Sequence, residues 1–218
     1  PNYGAITSFA EQGIDLLLSD STNATRPGFT QSEAAVGESI RNIIKNARGR
    51  VFVASFSSHI HRLQQICDYA VKYRRKVVVT GRSMLTNTRV ARERGYLNIK
   101  DDDIIDAYDI DRYADENIVV LCTGSQGEPL SALSRMANGE HRSLSINEND
   151  TVIISATPVP GNEKSVQGII NSLSKIGCAI YDKSTTLVHV SGHASQEELK
   201  LMLAMTHPAY FMPVHGEA

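Results

Sequence analysis

The chain has 218 residues, 41% of them hydrophobic, enough to bury a sizeable core in one large domain or in one domain with pieces of a second. No apolar run approaches the ~20 residues that span a bilayer, and the opening PNYGAITSFAEQGIDLLLSD lacks the basic-then-apolar pattern of a secretory leader, so neither a membrane protein nor a secreted one is expected. The odd count of three cysteines (Cys67, Cys122, Cys178), each in an apolar context without metal-site spacing, predicts buried free thiols in a cytoplasmic protein rather than a disulfide framework.

The formal net charge of −2 conceals an asymmetry. Between Arg41 and Arg94 there are thirteen Lys and Arg against two acids, Asp68 and Glu93, while residues 101–116 read DDDIIDAYDIDRYADE. A basic segment of this size suits a polyanion, or else a set of solvated helix faces pointing in several directions.

In chain order, DLLLS (15–19) reads as a strand. SEAAVGESIRNIIKNA (32–47) follows as a helix, with Val36, Ile40, Ile43, Ile44 and Ala47 on one face and a Thr30/Glu33 capping-box pattern ahead of it. VFVAS (51–55) is a strand. HIHRLQQICDYAVKY (59–73) is a helix with Leu63, Ile66, Cys67 and Ala70 inward. KVVVT (76–80) is a strand, and 85–96 is helical as far as Gly95. The acidic stretch reads as an irregular excursion before the strand 117–123, a Gly-rich turn and a helix over 129–137. Strand 150–156, helix 162–177, short strands AIYD and LVHV, helix 195–205 with a Ser195/Glu198 capping box, and strand AYFMPV complete the chain. Strands alternating with helices predict an α/β fold: a sheet of about five mostly parallel strands with helices on both faces, built from residues 34–188.

Ligands of such sheets bind beyond the carboxyl ends of the strands. The loops there concentrate Gly, Ser, Thr and His: SDSTNA, SFSSHIHR, TGRSM, CTGSQGEP, SATPVPGNEKS, VSGHAS and PVHGE. Turn amides, hydroxyls and helix N-termini together make phosphate sites, although no loop matches a named nucleotide-binding motif. His59 and His61 open a helix, where residues two apart diverge, so they are not read as metal ligands. His141 and His207 read as surface residues and His189 as packed. His193 and His215 remain, both at strand ends, 22 residues apart.

Taken together, LLLSDSTNA, VSGHAS and FMPVHGE resemble three motifs of the β-CASP subgroup of the metallo-β-lactamase superfamily. RLQQI, LCTGSQGEPLSALSRMANGEHR and VPGNEKSV, with FMPVHGE, resemble the bacterial ribonuclease J family in particular, over about Asp15 to Glu217. That family's His-x-His-x-Asp-His metal motif, a further His and a bridging Asp are absent from these residues. The resemblance implies an inserted β-CASP domain (34–188) between flanking strips of a metallo-β-lactamase αββα domain (1–33 and 189–218).

It also implies a zinc-dependent ribonuclease of RNA processing and decay, with 5′-to-3′ exonuclease and endonuclease activity and two zinc ions in the intact enzyme. His215 would be a zinc ligand. His193 would lie beside the scissile phosphate, oriented by Asp20. Ser191, Gly192, His193, Ala194 and Ser195 would grip a phosphate at the helix N-terminus. Ser57, Ser58 and Arg62 are further RNA-contact candidates, and Phe56 could stack a base or belong to the core.

The basic segment would clamp single-stranded RNA, with acids 101–116 facing elsewhere. A homo-oligomer and RNA-decay complex partners are implied for the intact protein. The alternatives are a DNA-processing β-CASP nuclease, disfavoured because family members acting on DNA usually carry Val where His215 stands, and a non-catalytic RNA-binding module. With one matched ligand, the chain is expected neither to hold zinc stoichiometrically nor to cleave RNA by itself, and Asp20, His193 and His215 need not be assembled in it.

Overall fold

A computed structural model of the chain describes residues 2–216, so Glu217, at the end of the PVHGE motif, lies outside the described residues. In chain order the elements are α1 (Tyr3–Ala10), β1 (Leu16–Asp20), α2 (Glu33–Asn46), β2 (Val51–Ser55), α3 (Ile60–Lys72), β3 (Lys76–Thr80), α4 (Arg82–Glu93) and β4 (Ile104–Ile105). They continue with β5 (Ile118–Cys122), α5 (Ala132–Ala137), β6 (Thr151–Ser155), α6 (Glu163–Ile176), β7 (Ala179–Tyr181), α7 (Gln196–Thr206) and β8 (Tyr210–Val214). Two compact units result, one of residues 33–189 and one formed by the segments on either side of it.

The 33–189 unit is a six-stranded, wholly parallel sheet in the order β4-β3-β5-β2-β6-β7. Strands β2, β5 and β6 are buried at every position, which is why they read as continuous apolar runs rather than alternating ones. Phe52, Ala54, Val120, Cys122, Val152 and Ile154 join one core cluster with Leu133 and Met136 of α5 and Ile169 and Leu173 of α6. The alternate residues of the same strands point to the opposite face. The helices for that face are α2 and α3, whose Ile40, Ile44, Leu63 and Ile66 are fully inaccessible.

The sheet has one more strand than the five expected. Ile104 and Ile105 pair with Val77 and Val78 at the sheet edge, inside the acidic stretch. Two half-buried residues among aspartates carry no readable period. LVHV (187–190) forms no strand; the Val188 carbonyl is met by side chains, the Ser155 hydroxyl at 2.7 Å and Arg62 Nη1 at 3.3 Å, instead of by a ladder. The Thr30/Glu33 capping box is not formed either. The helix begins at Glu33 itself; the Thr30 hydroxyl donates to the His193 carbonyl and its amide to Glu198, while Glu33 pairs with Arg62.

The basic segment is not one cationic face. Arg50, Arg62 and Arg75 are buried. Arg50 makes a two-pronged ion pair with the buried Asp150 and lies over the Phe52 ring, and Arg75 donates to the Gly49 and Ile118 carbonyls. Three of the acids of 101–116 meet the basic segment instead of facing elsewhere: Asp103 pairs with Lys76, Asp101 with Arg92, and Asp115 stands 3.8 Å from Arg50. The exposed Arg48 and Arg74 precede β2 and β3, whereas the exposed Arg82 follows β3 at the opposite edge of the parallel sheet. Long runs of like charge in sequence are thus dispersed by the strand–helix alternation itself.

From β2 the chain crosses over β5 to β3, and from β5 it crosses over β2 to β6. The loops after β2 and β5 therefore lie side by side at the sheet's carboxyl edge, the switch point where open α/β sheets present ligand sites. Gln126 fastens the second of these loops to the loop after β6: it accepts from the Val159 amide at 2.7 Å and donates to the Thr157 carbonyl at 2.9 Å.

In the other unit, β1 and β8 pair in parallel from Leu16↔Tyr210 to Asp20↔Val214. Leu16, Leu18, Tyr210, Phe211 and Met212 of these two strands are exposed. Helix α7 opens with the expected Ser195/Glu198 capping box, while α1 was not expected from the sequence. No helix of the described residues is long and apolar enough to cross a membrane.

Candidate active site at the ends of β1 and β8

Parallel pairing brings the carboxyl ends of β1 and β8 together, so Asp20 lies opposite Val214 and next to His215. The Ser21 amide and hydroxyl both donate to the Val214 carbonyl, at 2.8 and 3.0 Å. His215 is held left-handed (φ 63°), a conformation uncommon for a residue with a side chain and concentrated at functional sites. The next position is close against the Ser21 side chain: a Cβ on Gly216 would lie 2.5 Å from Ser21 Oγ and displace that hydroxyl from the Val214 carbonyl.

His193 Nδ1 is 2.9 Å from Asp20 Oδ2. Asp20 Oδ1 accepts the Thr22 hydroxyl at 2.7 Å and stands 3.4 Å from His215 Nδ1. Burial works to raise the Asp20 pKa, but the hydrogen bonds from Thr22 and His193 outweigh it and lower it to about 2. An ionised carboxylate only accepts, so the His193 proton sits on Nδ1 and Nε2 is left for another partner. The two imidazoles meet edge to face, 6.2 Å between centroids.

Asp20, His193 and His215 are therefore assembled within this chain. Each offers a donor atom within 4.8 Å of the others, and among the described residues they form the one such group of His, Cys, Asp or Glu. The β1–β8 pairing brings Asp20 and His215 together, and the 191–195 turn, tied to Asn23, adds His193. Two imidazoles and a carboxylate are a zinc donor set by chemistry, and tetrahedral zinc at ~2.0–2.1 Å from each donor asks for donors roughly 3.3 Å apart. The group fits zinc once its widest separation closes and Asp20 exchanges a hydrogen bond for the metal.

The turn 191–195 is held from beneath. Asn23, 8% exposed, donates to Ser191 Oγ at 2.9 Å and to the His193 carbonyl at 3.1 Å. The Thr30 hydroxyl donates to the same carbonyl at 3.0 Å, and the His193 amide donates to Ser191 Oγ at 3.1 Å. Helix α7 does not offer its N-terminus to a ligand as expected. The Ser195 amide is taken by Glu198, the Gln196 amide by the Arg26 carbonyl and the Glu197 amide by the Gly28 carbonyl; Ser195 itself is buried. Hydrogen bonds from the Ser195 and Thr30 amides depress the Glu198 pKa, keeping this cap ionised. What remains open to an anion is the Gly192 and Ala194 amides and the Ser191 hydroxyl. Thr22, Asn23 and Thr30 were missed as site residues; for Thr22 and Asn23 the polar run STNA directly after Asp20 was the available signal.

The other expected contacts belong to the 33–189 unit. Phe56 is 37% exposed and Ser58 exposed, so both are open at the sheet's carboxyl edge, while Ser57 accepts from Asn87 at 2.9 Å. Arg62 is no surface contact: it is 0% exposed, paired with Glu33, and donates from Nη1 to Ser155 Oγ and toward the Val188 carbonyl and His189. His189, beside it, is lowered to a pKa of about 4 by burial and then by the Arg62 charge. His141 is not a loose surface residue either. Its Nδ1 accepts from the Ser143 and Leu144 amides, which puts the proton on Nε2, 3.1 Å from Thr80 Oγ1. Cys67 and Cys122 are buried free thiols pushed up to about 12 by burial, and Cys178 is also buried and free.

Residues 48–173 match the family model described as ribonuclease J, beta-CASP domain, and residues 180–218 match that of a Zn-dependent metallo-hydrolase RNA specificity domain. The chain is 45% identical over 213 residues to a ribonuclease J of Mycoplasma genitalium, 47% over 212 to one of Helicobacter pylori and 46% over 211 to one of Mycobacterium tuberculosis. Each alignment covers 97% of this chain but only 37%, 31% and 38% of the relative, so the chain spans about a third of the length of these curated relatives. With more than half its length in the first model and the sheet, the paired strand ends and the zinc-capable group all accounted for, the chain belongs to the ribonuclease J family of β-CASP metallo-hydrolases.

Proposed function

We propose that the chain is the β-CASP and RNA-specificity portion of a zinc-dependent ribonuclease that hydrolyses phosphodiester bonds of single-stranded RNA, both from the 5′ end and internally, in cytoplasmic RNA processing and decay. The observation that carries this reading is the convergence of Asp20, His193 and His215 beside a turn whose Gly192 and Ala194 amides are open. Asp20 holds the His193 ring, His193 Nε2 stabilises or protonates the leaving oxygen, and the turn receives a phosphate. His215 holds zinc, which when bound supplies an activated water and positive charge at the phosphate. Two ions, a homo-oligomer and RNA-decay partners belong to the same reading of the whole protein. Phe56 and Ser58 contribute RNA contacts from the 33–189 unit.

In this reading only His215 of the three is assigned to zinc, since Asp20 and His193 are hydrogen-bonded to each other, so the 218-residue chain purifies without stoichiometric zinc. Metal analysis of the purified chain checks this; one tightly held zinc per chain contradicts it. The function is tested in a chimera in which this chain replaces the corresponding segment of the Mycoplasma genitalium ribonuclease J. The chimera should cleave single-stranded RNA, and His193→Ala should lower turnover about 10²–10⁴-fold while changing RNA affinity less than tenfold. Equal losses of affinity and turnover would make His193 a binding residue, and a chimera that cleaves only DNA would replace the substrate.

A further inference from the structure

The Asn23 side chain has an unambiguous orientation. One of its atoms lies within hydrogen-bond reach of both Ser191 Oγ and the His193 carbonyl, and a carbonyl can only accept, so that atom is the amide nitrogen. Both of its hydrogens are thereby committed. Ser191 Oγ then accepts twice, from Asn23 Nδ2 at 2.9 Å and from the His193 amide at 3.1 Å. A serine hydroxyl has two lone pairs and one proton. With both lone pairs filled from inside the fold, only the proton is left, and the half-exposed Ser191 must direct it away from those two donors.

We infer that Asn23 is a positioning residue that makes Ser191 an obligatory hydrogen-bond donor, specific for an oxyanion such as a non-bridging phosphate oxygen. This deepens the phosphate reading of the 191–195 turn and rests on it. Three donors then face the same ligand: the Ser191 hydroxyl and the Gly192 and Ala194 amides. A group that must donate discriminates against cations and against other donors, and it need not reorient when the anion arrives. The same side chain fixes the His193 carbonyl, and Asp20 fixes the His193 ring, so the four-residue run from Asp20 to Asn23 sets both the donor and the histidine.

The test uses the 218-residue chain, inorganic phosphate as the probe, and amide chemical shifts of Gly192, His193 and Ala194 as the readout. Asn23→Asp replaces the donor by an acceptor, so the Ser191 proton turns inward. It should weaken phosphate binding at least tenfold in the unsubstituted background. With Ser191→Ala already present, the same substitution should cost threefold or less, the part due to added negative charge. Equal factors in the two backgrounds would overturn the inference alone. Absence of phosphate-induced shifts at these amides in the unsubstituted chain would overturn the phosphate reading and the inference with it. If Asn23→Asp collapses the spectrum, the ranking at position 191 carries the test. Affinity should fall from Ser to Ser191→Cys to Ser191→Ala in order of donor strength, and a Ser191→Ala chain that binds phosphate as tightly as the unsubstituted one overturns the proposal.

Discussion

The two units of the molecule handle their apolar and polar groups in opposite ways. In the 33–189 unit, three strands are buried at every position, and the arginines inside, Arg50, Arg62 and Arg75, have internal partners. In the unit built from β1, β8, α1 and α7, four of five β8 residues are exposed, α1 buries nothing, and a two-stranded sheet shows Leu16, Leu18, Tyr210 and Phe211 to solvent. A two-stranded sheet is marginal by itself. Yet the second unit carries the convergent Asp20, His193 and His215. The buried core and the proposed chemistry are thus lodged in different parts of the chain, and the part proposed to carry the chemistry has the less apolar cover.

The largest test of this contrast is Arg62→Ala. It removes a fully buried guanidinium, takes the main partner from Glu33 and leaves Ser155 and the Val188 carbonyl with only each other, which should cost about 3–5 kcal/mol in urea unfolding of the 33–189 unit. A loss under 1 kcal/mol would mean the cluster is not a stabilising hub. Gly127→Ala comes next. A Cβ there would lie 2.5 Å from the backbone of Ser165 and Val166 at a positive φ, so the loop after β5 must move, at about 2–3 kcal/mol.

His189 gives a smaller, pH-dependent effect. Its folded pKa of about 4 lies below the ordinary 6.5, so between those values the unfolded chain binds the proton that the folded chain refuses. Stability from this group is complete above pH 6.5 and is lost as pH falls toward 4. The melting temperature of the 33–189 unit should drop by roughly 3–6 °C over that window, and His189→Gln should flatten the slope. A slope unchanged by His189→Gln would assign it elsewhere. The smallest effect is expected at Phe211→Ser: within about 0.5 kcal/mol in the 218-residue chain, where Phe211 is exposed. In the chimera the same substitution should cost about 2 kcal/mol or more if the relative's additional length covers this face. Equal costs in both would remove the difference between the units.

Most of the sheet was legible because a buried parallel strand leaves an uninterrupted apolar run, as in VFVAS and TVIIS. Asp20 and His215 stood out because each falls at the end of a strand in a motif with its neighbours, and His193 because of the VSGHAS run ahead of a capped helix, although LVHV before it forms no strand. Arg62 was not. A charged residue early in a helix reads as exposed, and nothing local announces that its partners lie 29 residues earlier, at Glu33, and 126 later, at Val188. The α7 N-terminus misled for a similar reason: its amides are met by carbonyls of Arg26 and Gly28, far away in sequence. Asn23 sat in plain view, but its role depends on two contacts about 170 residues distant.

The most direct measurement is RNA cleavage by three preparations under one zinc-containing condition: the purified 218-residue chain, the chimera with the Mycoplasma genitalium relative, and the same chimera with His193→Ala. The expected result is no cleavage by the chain, cleavage by the chimera, and turnover at least 100-fold lower with His193→Ala. Cleavage by the chain alone after removal of contaminating nuclease would contradict the need for metal donors beyond those of this chain, and a His193→Ala chimera that turns over at the unsubstituted rate would contradict the placement of the chemistry at the ends of β1 and β8.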